Sequence, residues 1–166
     1  EIYEYFLYDG RTHVSFATLP GMADRTITIG GYSKTFSITG WRIGYSVAAA
    51  RWAQAIGAMN DLLYVCAPTP LQAGVAVGIE ELPDSFYCDL ARDYQRKRDR
   101  FCQALTKPQL TPSIPQGAYY VLADTSRLPG TTGKERAMFL LETIGLAAVP
   151  GEAFISGADG RQFIRF

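Results

Sequence analysis

The sequence predicts an α/β fold, and three observations support this prediction. First, short segments in which apolar and polar residues alternate, such as residues 25–30 (RTITIG), are followed by longer segments with helical periodicity, such as residues 50–64. Second, Gly, Pro and Asp cluster between those segments, where turns are expected. Third, 48% of the 166 residues are hydrophobic, which is enough to bury a sizeable core. Strands and helices that alternate along a chain are typical of the α/β class.

The strands of the first part of the chain are predicted from runs of apolar and β-branched residues. Residues 1–8 (EIYEYFLY) form such a run, and Asp9 and Gly10 then predict a turn. Residues 25–30 alternate with a period of two, which predicts a second strand. Residues 43–48 (IGYSVA) predict a third. The segment between the last two strands therefore lies just beyond a strand end.

Helical spacing of apolar residues predicts the next three elements. A helix is expected over residues 50–64 and is ended by Pro68. Thr69 is expected to cap a second helix over residues 70–82, with proline in its first turn. A third helix is expected over residues 84–107, where an apolar stripe lies opposite a charged face that we expect to be solvated. The stripe consists of Phe86, Leu90, Tyr94, Phe101 and Leu105.

The last part of the chain predicts a mixture of strands and one helix. Residues 118–123 (AYYVLA) favour a strand, and residues 134–144 favour a helix that Gly145 closes as a C-cap. Short strands are expected over residues 146–149 and 162–166. The inward positions of the helix are predicted to be Ala137, Leu140 and Leu141.

The charge pattern argues against nucleic-acid and membrane partners. The 16 Lys and Arg balance the 16 Asp and Glu, and no run of about five or six like charges occurs. The apolar runs are shorter than a membrane span requires. The acidic, tyrosine-rich start does not resemble a signal peptide. We therefore expect a cytoplasmic protein that binds neither nucleic acid nor membranes.

Several common kinds of active site are excluded by residue type and spacing. The chain has one histidine, His13, and its 3 cysteines contain no Cys-x-x-Cys pair, so neither a metal site nor a Ser-His-Asp triad is predicted. The segment Gly130–Lys134 lacks the hydroxyl residue that follows the lysine of a phosphate-binding P-loop. No Gly-x-Gly-x-x-Gly motif is present, so nicotinamide binding is not supported.

The stretch at residues 30–45, GGYSKTFSITGWRIGY, contains the best candidate for a catalytic group. Lys34 follows a predicted strand in a glycine- and hydroxyl-rich turn, among aromatic residues that could partly desolvate its amine. A desolvated lysine amine is a nucleophile that can form a Schiff base with a carbonyl group. Arg42 in the same turn offers a planar fork for a phosphate. From the residues alone, an ordinary surface lysine is the simpler interpretation.

The words Ser33-Lys34-Thr35-Phe36 and Thr39-Gly40-Trp41-Arg42-Ile43-Gly44 together resemble the cofactor-lysine signature of class I/II aminotransferases, which are pyridoxal-phosphate enzymes of fold type I. The resemblance implies that Lys34 holds the cofactor as a Schiff base and that Arg42 binds its phosphate. The family usually has a serine three residues before the lysine, where this chain has Gly31. Either Ser33 or Thr35 is therefore a candidate to bind the phosphate instead, and a lower affinity for the phosphate is the alternative.

Other segments follow the order that the same family shows. Ile2-Tyr3-Glu4 resembles the end of its Asp-x-x-Tyr motif, which implies that the Tyr3 hydroxyl bonds the phenolic oxygen of the cofactor. Phe163-Ile-Arg165-Phe resembles the strand whose arginine grips the α-carboxylate of the substrate. Residues 116–120 and 149–154 resemble its small-domain strand and substrate-side loop. Residues 67–72 resemble a segment that reaches the neighbouring subunit, which implies a homodimer.

The resemblance implies a domain organisation and a reaction. Residues 1–82 would be part of a large cofactor domain with a mixed, mainly parallel sheet, and residues 83–166 a connecting helix and a small α+β domain that is truncated at its end. The parent protein would be an aminotransferase that uses pyridoxal 5′-phosphate to move an amino group from an amino acid to a 2-oxo acid. A carbon–sulfur lyase, decarboxylase or racemase of the same fold, a sensor module and an inactive fragment are the alternatives.

Overall fold

The structure is a computed structural model that describes residues 1–108 and 110–166. The chain divides into two compact units, which we call unit 1 (Glu1–Ala91) and unit 2 (Arg92–Phe166). The α-helices are α1 (Ala50–Leu63), α2 (Thr69–Glu81), α3 (Asp84–Thr106) and α4 (Gly133–Ile144). The strands are β1 (Thr28–Gly31), β2 (Gly44–Val47), β3 (Thr111–Ser113), β4 (Leu122–Asp124), β5 (Val149–Pro150) and β6 (Phe163–Arg165).

Unit 1 contains a two-stranded antiparallel sheet followed by helices. β1 pairs with β2, and Gly31 lies opposite Gly44 at the end of the pairing. The connection between them, residues 32–43, carries the predicted lysine and arginine. The predicted second and third strands and the helices α1 and α2 are confirmed to within a few residues. Thr69 is the first residue of α2, and the cap position is Pro68.

The start of the chain is a turn, so the strand predicted over residues 1–8 is wrong. The amide of Phe6 donates to the carbonyl of Tyr3 over 2.9 Å, which folds these residues back on themselves. Phe6 and Tyr8 are 0% and 1% exposed, so the apolar run is buried through a turn instead of a strand. The turn predicted at Asp9 and Gly10 is confirmed, since both residues have positive φ angles.

Unit 2 is built around a four-stranded antiparallel sheet in the order β3-β4-β6-β5. β6 is a central strand, and its Ile164 is 0% exposed. One side of the core includes Cys102 and Leu105 from α3, and another includes Ala137 and Leu140 from α4. β6 therefore lies between β4 and β5 in the sheet, and residues of α4 pack against its Ile164.

Several details of unit 2 differ from the sequence prediction. The strand predicted over residues 118–123 begins only at Leu122, because Ala118 has a φ angle of 58° that a strand cannot contain. Leu141, predicted to face inward, is 44% exposed. Arg98, which lies at helical spacing from Tyr94 and Phe101 of the predicted apolar stripe, is 7% exposed, and its Nη1 donates to the carbonyl of Pro115 over 3.0 Å.

β1 and β2 pair antiparallel, and so do the neighbouring strands of the sheet β3-β4-β6-β5. Within residues 1–108 and 110–166, no helix combines the length and apolar character that crossing a membrane requires. The same residues contain no group of 3 or more His, Cys, Asp or Glu side chains placed to hold a metal ion.

Candidate active site

The turn that carries the predicted lysine is fixed at its base by glycines. A side chain at Gly44 would place a Cβ atom 2.8 Å from the carbonyl oxygen of Gly30 on the paired strand. The two strands therefore approach as closely as they do only because Gly44 has no side chain. The pairing continues into the turn, where the amide of Tyr32 donates to the carbonyl of Ile43 over 3.2 Å.

Lys34 lies in a compact turn with a hydroxyl residue on either side. The amide of Phe36 donates to the carbonyl of Tyr32 over 3.0 Å, and the amide of Ser37 donates to the carbonyl of Lys34 over 3.2 Å. Ser33 and Thr35 are 7% and 3% exposed, whereas Lys34 is only partly buried. The backbone of the turn is thus packed into unit 1 while the lysine side chain is partly accessible.

Aromatic rings support this turn on both sides of Lys34. The rings of Tyr32 and Phe36 are stacked with centroids 5.5 Å apart, and the ring of Tyr45 from β2 lies 5.4 Å from that of Tyr32. Phe36 also packs against Phe86 at 6.1 Å. Offset and tilted ring pairs of this kind add stability beyond the area that they bury. They hold the lysine turn in one conformation.

Two glycines of α2 lie against aromatic rings of this turn. A Cβ atom at Gly74 would lie 3.0 Å from the ring of Trp41, and one at Gly78 would lie 3.3 Å from the ring of Phe36. Both rings border an apolar cavity of about 240 Å³ between the turn and α2. The rings of Trp41 and Phe36 therefore approach α2 at two positions that carry no side chain. No role was predicted for these glycines, although their spacing of about one helical turn is visible in the sequence.

Arg42 ends the turn in a left-handed conformation, with a φ angle of 59°. Its Nη1 donates to the carbonyl of Thr39 over 2.9 Å, and the residue is exposed. Arg42 lines an open groove of about 600 Å³ together with residues of β1, β2 and α1 and the segment after α1. Grooves of several hundred Å³ accommodate small ligands or cofactors. The groove thus combines a cationic side chain with the glycine backbone of Gly30 and Gly44.

The tyrosines behind the turn are held in their neutral form. Burial raises the pKa of Tyr45 to about 12, and the negative charge of Glu4 adds to the effect. The hydroxyl of Tyr45 donates to Oε1 of Glu4 over 3.4 Å. Burial, followed by the charge of Glu4, also raises the pKa of Tyr5 and of Tyr32. This cluster is therefore uncharged apart from Glu4. Two of its members, Glu4 and Tyr5, directly follow Tyr3 in the sequence.

Arg165 belongs to unit 2, in the central strand β6. Its guanidinium carbon lies 4.3 Å from the ring centroid of Tyr120 and 4.1 Å from that of Phe154. Neither ring was assigned a role from the sequence. Both lie in segments that the resemblance had singled out, residues 116–120 and 149–154.

The structure brings together part of the predicted site. Ser33, Lys34 and Arg42 share one turn, and Tyr3 lies in the same unit. Arg165 lies in the other unit. The cofactor and substrate roles of these residues stay predictions. His13 is a surface residue, as expected, and its Nε2 lies 3.0 Å from Oε2 of Glu1.

The chain resembles known proteins over its whole length. The family model described as aminotransferase class I and II matches residues 1–166. A kynurenine–oxoglutarate transaminase from Dictyostelium discoideum is 39% identical over 189 residues, which cover 100% of this chain and 43% of that protein. The human kynurenine–oxoglutarate transaminase 1 is 33% identical, with 100% of this chain and 44% of that protein covered. The chain therefore spans less than half of these relatives.

Solved structures show the same fold. An N-succinyldiaminopimelate aminotransferase from Mycobacterium tuberculosis superposes with a TM-score of 0.92 at 31% identity, covering 99% of this chain and 43% of that one. An aromatic aminotransferase from Pyrococcus horikoshii gives a TM-score of 0.87 at 32% identity, covering 99% of this chain and 44% of that one. The predicted α/β fold, as part of a fold type I architecture, is confirmed.

Proposed function

We propose a transaminase function for the parent protein, starting from the fact that this chain belongs to the class I and II aminotransferases. The reaction would move an amino group from an amino acid to a 2-oxo acid. The observation that carries the proposal is the placement of Lys34 and Arg42 on one glycine-bounded turn, with Arg42 at a groove of about 600 Å³. The relatives that the chain resembles carry the names of transaminases or aminotransferases.

The proposed cofactor is pyridoxal 5′-phosphate, and the turn fits it. The groove has the size of a small-ligand site, and Arg42 supplies a cation for the phosphate. Lys34 would attach the cofactor through Nζ, Ser33 would serve the phosphate, and Tyr3 would donate to the phenolic oxygen. When bound, the cofactor supplies an electron sink for the charge that develops at the substrate's α-carbon.

Lys34 would have a second role as the base of the reaction. Its Nζ would accept the α-proton of the substrate and donate it to C4′ of the cofactor, which is the proton movement that amino-group transfer requires. The hydrogen-bonded turn and the stacked rings of Tyr32 and Phe36 keep the lysine backbone fixed while its side chain moves. Partial burial of Lys34 limits the access of water to this proton transfer.

Arg165 would bind the substrate's α-carboxylate through its paired N–H groups, which match the geometry of a carboxylate. We further propose that the parent protein works as a cytoplasmic homodimer and that residues 1–82 and 83–166 belong to its large and small domains. Support for these points comes from the family resemblance and from the apolar residues that α1 exposes, such as Trp52 and Leu63.

The experiment that tests the proposal is covalent trapping in the parent protein. Incubation with pyridoxal 5′-phosphate followed by borohydride reduction should attach the label to Lys34, as read by peptide mass mapping. Lys34→Ala should remove the label and lower kcat by about 10²-fold or more, because a general base is lost. The matched control Lys134→Ala, at an exposed position of α4, should leave both unchanged. A label on another lysine would contradict the assignment.

A further inference from the structure

The guanidinium group of Arg165 is in cation–π contact with two aromatic rings. The ring of Tyr120 lies 4.3 Å from its central carbon, and the ring of Phe154 lies 4.1 Å from it. Both distances are well within the range in which an aromatic face attracts a cation. The two rings together occupy much of the space around this cation.

The register of the sheet produces this arrangement. Arg165 lies opposite Leu122 on β4 and opposite Val149 on β5. Tyr120 precedes Leu122 by two residues, so it is diagonal to Arg165 across the antiparallel pair. Long side chains at diagonal positions can contact each other. Phe154 follows the turn that leaves β5. One ring therefore lies just before β4 and the other just after β5, and these are the two strands that pair with β6.

Both rings are held by contacts of their own. The amide of Phe154 donates to the carbonyl of Gly151 over 2.9 Å, and the preceding Glu152 accepts from the amide of Gly133 through Oε1 over 2.8 Å. This carboxylate ties the turn to the start of α4. On the other side, the ring of Tyr120 packs against that of Tyr119 with centroids 4.8 Å apart. These contacts hold the backbone of Phe154 and the ring of Tyr120 within unit 2.

We propose that Tyr120 and Phe154 are positioning residues that orient the guanidinium of Arg165 to receive a carboxylate. Contacts with both rings leave the edge of the planar group, with its fork of N–H donors, as its route to a ligand. The rings also restrict the rotamers of the arginine, so less side-chain entropy is lost when a carboxylate binds. This inference rests on the proposed function of Arg165 and adds residues to which no role had been given.

The test uses the parent protein with pyridoxal 5′-phosphate bound. Phe154→Leu and Tyr120→Leu remove an aromatic face but keep an apolar side chain, whereas the matched controls Phe154→Tyr and Tyr120→Phe keep the face. The probe is 2-oxoglutarate, and the readout is the protection of Arg165 against phenylglyoxal modification, followed by mass spectrometry of its peptide. Retention of the cofactor absorbance and far-UV circular dichroism report folding of each variant.

Each leucine variant should need about threefold more 2-oxoglutarate for half-protection, because one cation–π contact is lost, and the ring-retaining variants should match the unsubstituted protein. In turnover assays, KM should rise by a similar factor while kcat stays within about twofold. Without ligand, Arg165 should also react faster with phenylglyoxal in the leucine variants, a measurement that does not depend on turnover.

Three outcomes would overturn the inference. Equal half-protection in the leucine variants and the unsubstituted protein would show that the rings do not orient Arg165, and equal weakening in all four variants would show that shape alone matters. If 2-oxoglutarate does not protect Arg165 in the unsubstituted protein, Arg165 is not a carboxylate site and the inference is wrong. Failure of the proposed function is seen separately, as absence of amino-group transfer by the unsubstituted protein.

Discussion

The two units of the chain differ in how completely they bury their apolar residues. In unit 2, α3, α4 and the sheet enclose two clusters that include Leu105, Val121, Leu140 and Ile164. In unit 1, α1 has no buried residue, and its Leu62 and Leu63 are each 79% exposed. Helix faces of this kind are usually covered by other protein surface. Unit 2 is therefore closer to a self-contained core.

The candidate residues follow the same division. Arg165 lies in a central strand next to the fully buried Ile164, and its guanidinium contacts two aromatic rings. The turn of Lys34 and Arg42 depends instead on rings that rest on the glycines of α2, beside an open groove. We therefore expect small increases in side-chain volume to lower the free energy of unfolding in unit 2 and to be tolerated in the open parts of unit 1.

The largest effect is expected from alanine substitution of a buried glycine in unit 2. At Gly151 a Cβ atom would lie 2.6 Å from the carbonyl oxygen of Phe163, and backbone at that position cannot move without disturbing β6. We expect Gly151→Ala to lower the free energy of unfolding by about 3 kcal/mol, because overpacking forces backbone shifts. Urea denaturation of the 166-residue chain, followed by far-UV circular dichroism and by hydrogen exchange of α4, measures it.

The matched variant in unit 1 is Gly57→Ala in α1. No atom lies within 4 Å of a Cβ built at Gly57, so alanine should fit and raise the helix stability by up to about 1 kcal/mol. Both tryptophans, Trp41 and Trp52, lie in unit 1, so their fluorescence follows this unit during denaturation. Equal effects of the two substitutions would remove the contrast between the units.

A smaller effect is expected where the lysine turn rests on α2. Gly74→Ala places a methyl group 3.0 Å from the ring of Trp41, which must shift and carry its neighbour Arg42 with it. We expect a loss of about 1 kcal/mol in unfolding free energy and a shift in Trp41 fluorescence. In the parent protein, the affinity for pyridoxal 5′-phosphate should fall about threefold, as measured by absorbance titration.

Gly78→Ala is the graded control for this contact. Its methyl group would lie 3.3 Å from the ring of Phe36, a longer distance that needs less adjustment. The helix propensity gained by alanine should therefore offset most of the crowding. If Gly74→Ala and Gly78→Ala leave both the Trp41 fluorescence and the cofactor affinity unchanged, the packing of the turn does not depend on these glycines.

Local sequence signals predicted the helices well, and long-range pairing explains most of the errors. α4 was placed to within one residue because Gly145 ends it in a left-handed conformation, a purely local effect. β3 was not predicted, since it contains Pro112 and exists as an edge strand only because β4 pairs with it. The positive φ angle of Ala118 has no signal in the sequence.

The candidate site shows the same limit. The spacing of Lys34 and Arg42 was readable because both lie in one short turn. The approach of Tyr120 and Phe154 to Arg165 depends on the register of three strands that are distant in the sequence. The contacts of Gly74 and Gly78 likewise depend on how α2 packs against the turn. Periodicity within one segment carries no information on such contacts.

The smallest effect concerns the pH dependence of unit 1. Burial and the charge of Glu4 raise the pKa of Tyr45 to about 12 in the folded chain, above the value of about 10 for an unfolded tyrosine. The folded state thus holds this proton more tightly, so the stabilisation is complete below about pH 10 and is lost as the pH rises toward 12. Tyr45→Phe should therefore reduce the loss of unfolding free energy between about pH 10 and pH 12, followed by tryptophan fluorescence in urea. The pKa values of Tyr5 and Tyr32 are also raised, so part of the change in unfolding free energy with pH should remain in this variant. Phenylalanine at the exposed Tyr64 is the control, and a slope that Tyr45→Phe leaves intact would show that Glu4 and burial do not act on Tyr45 in this way.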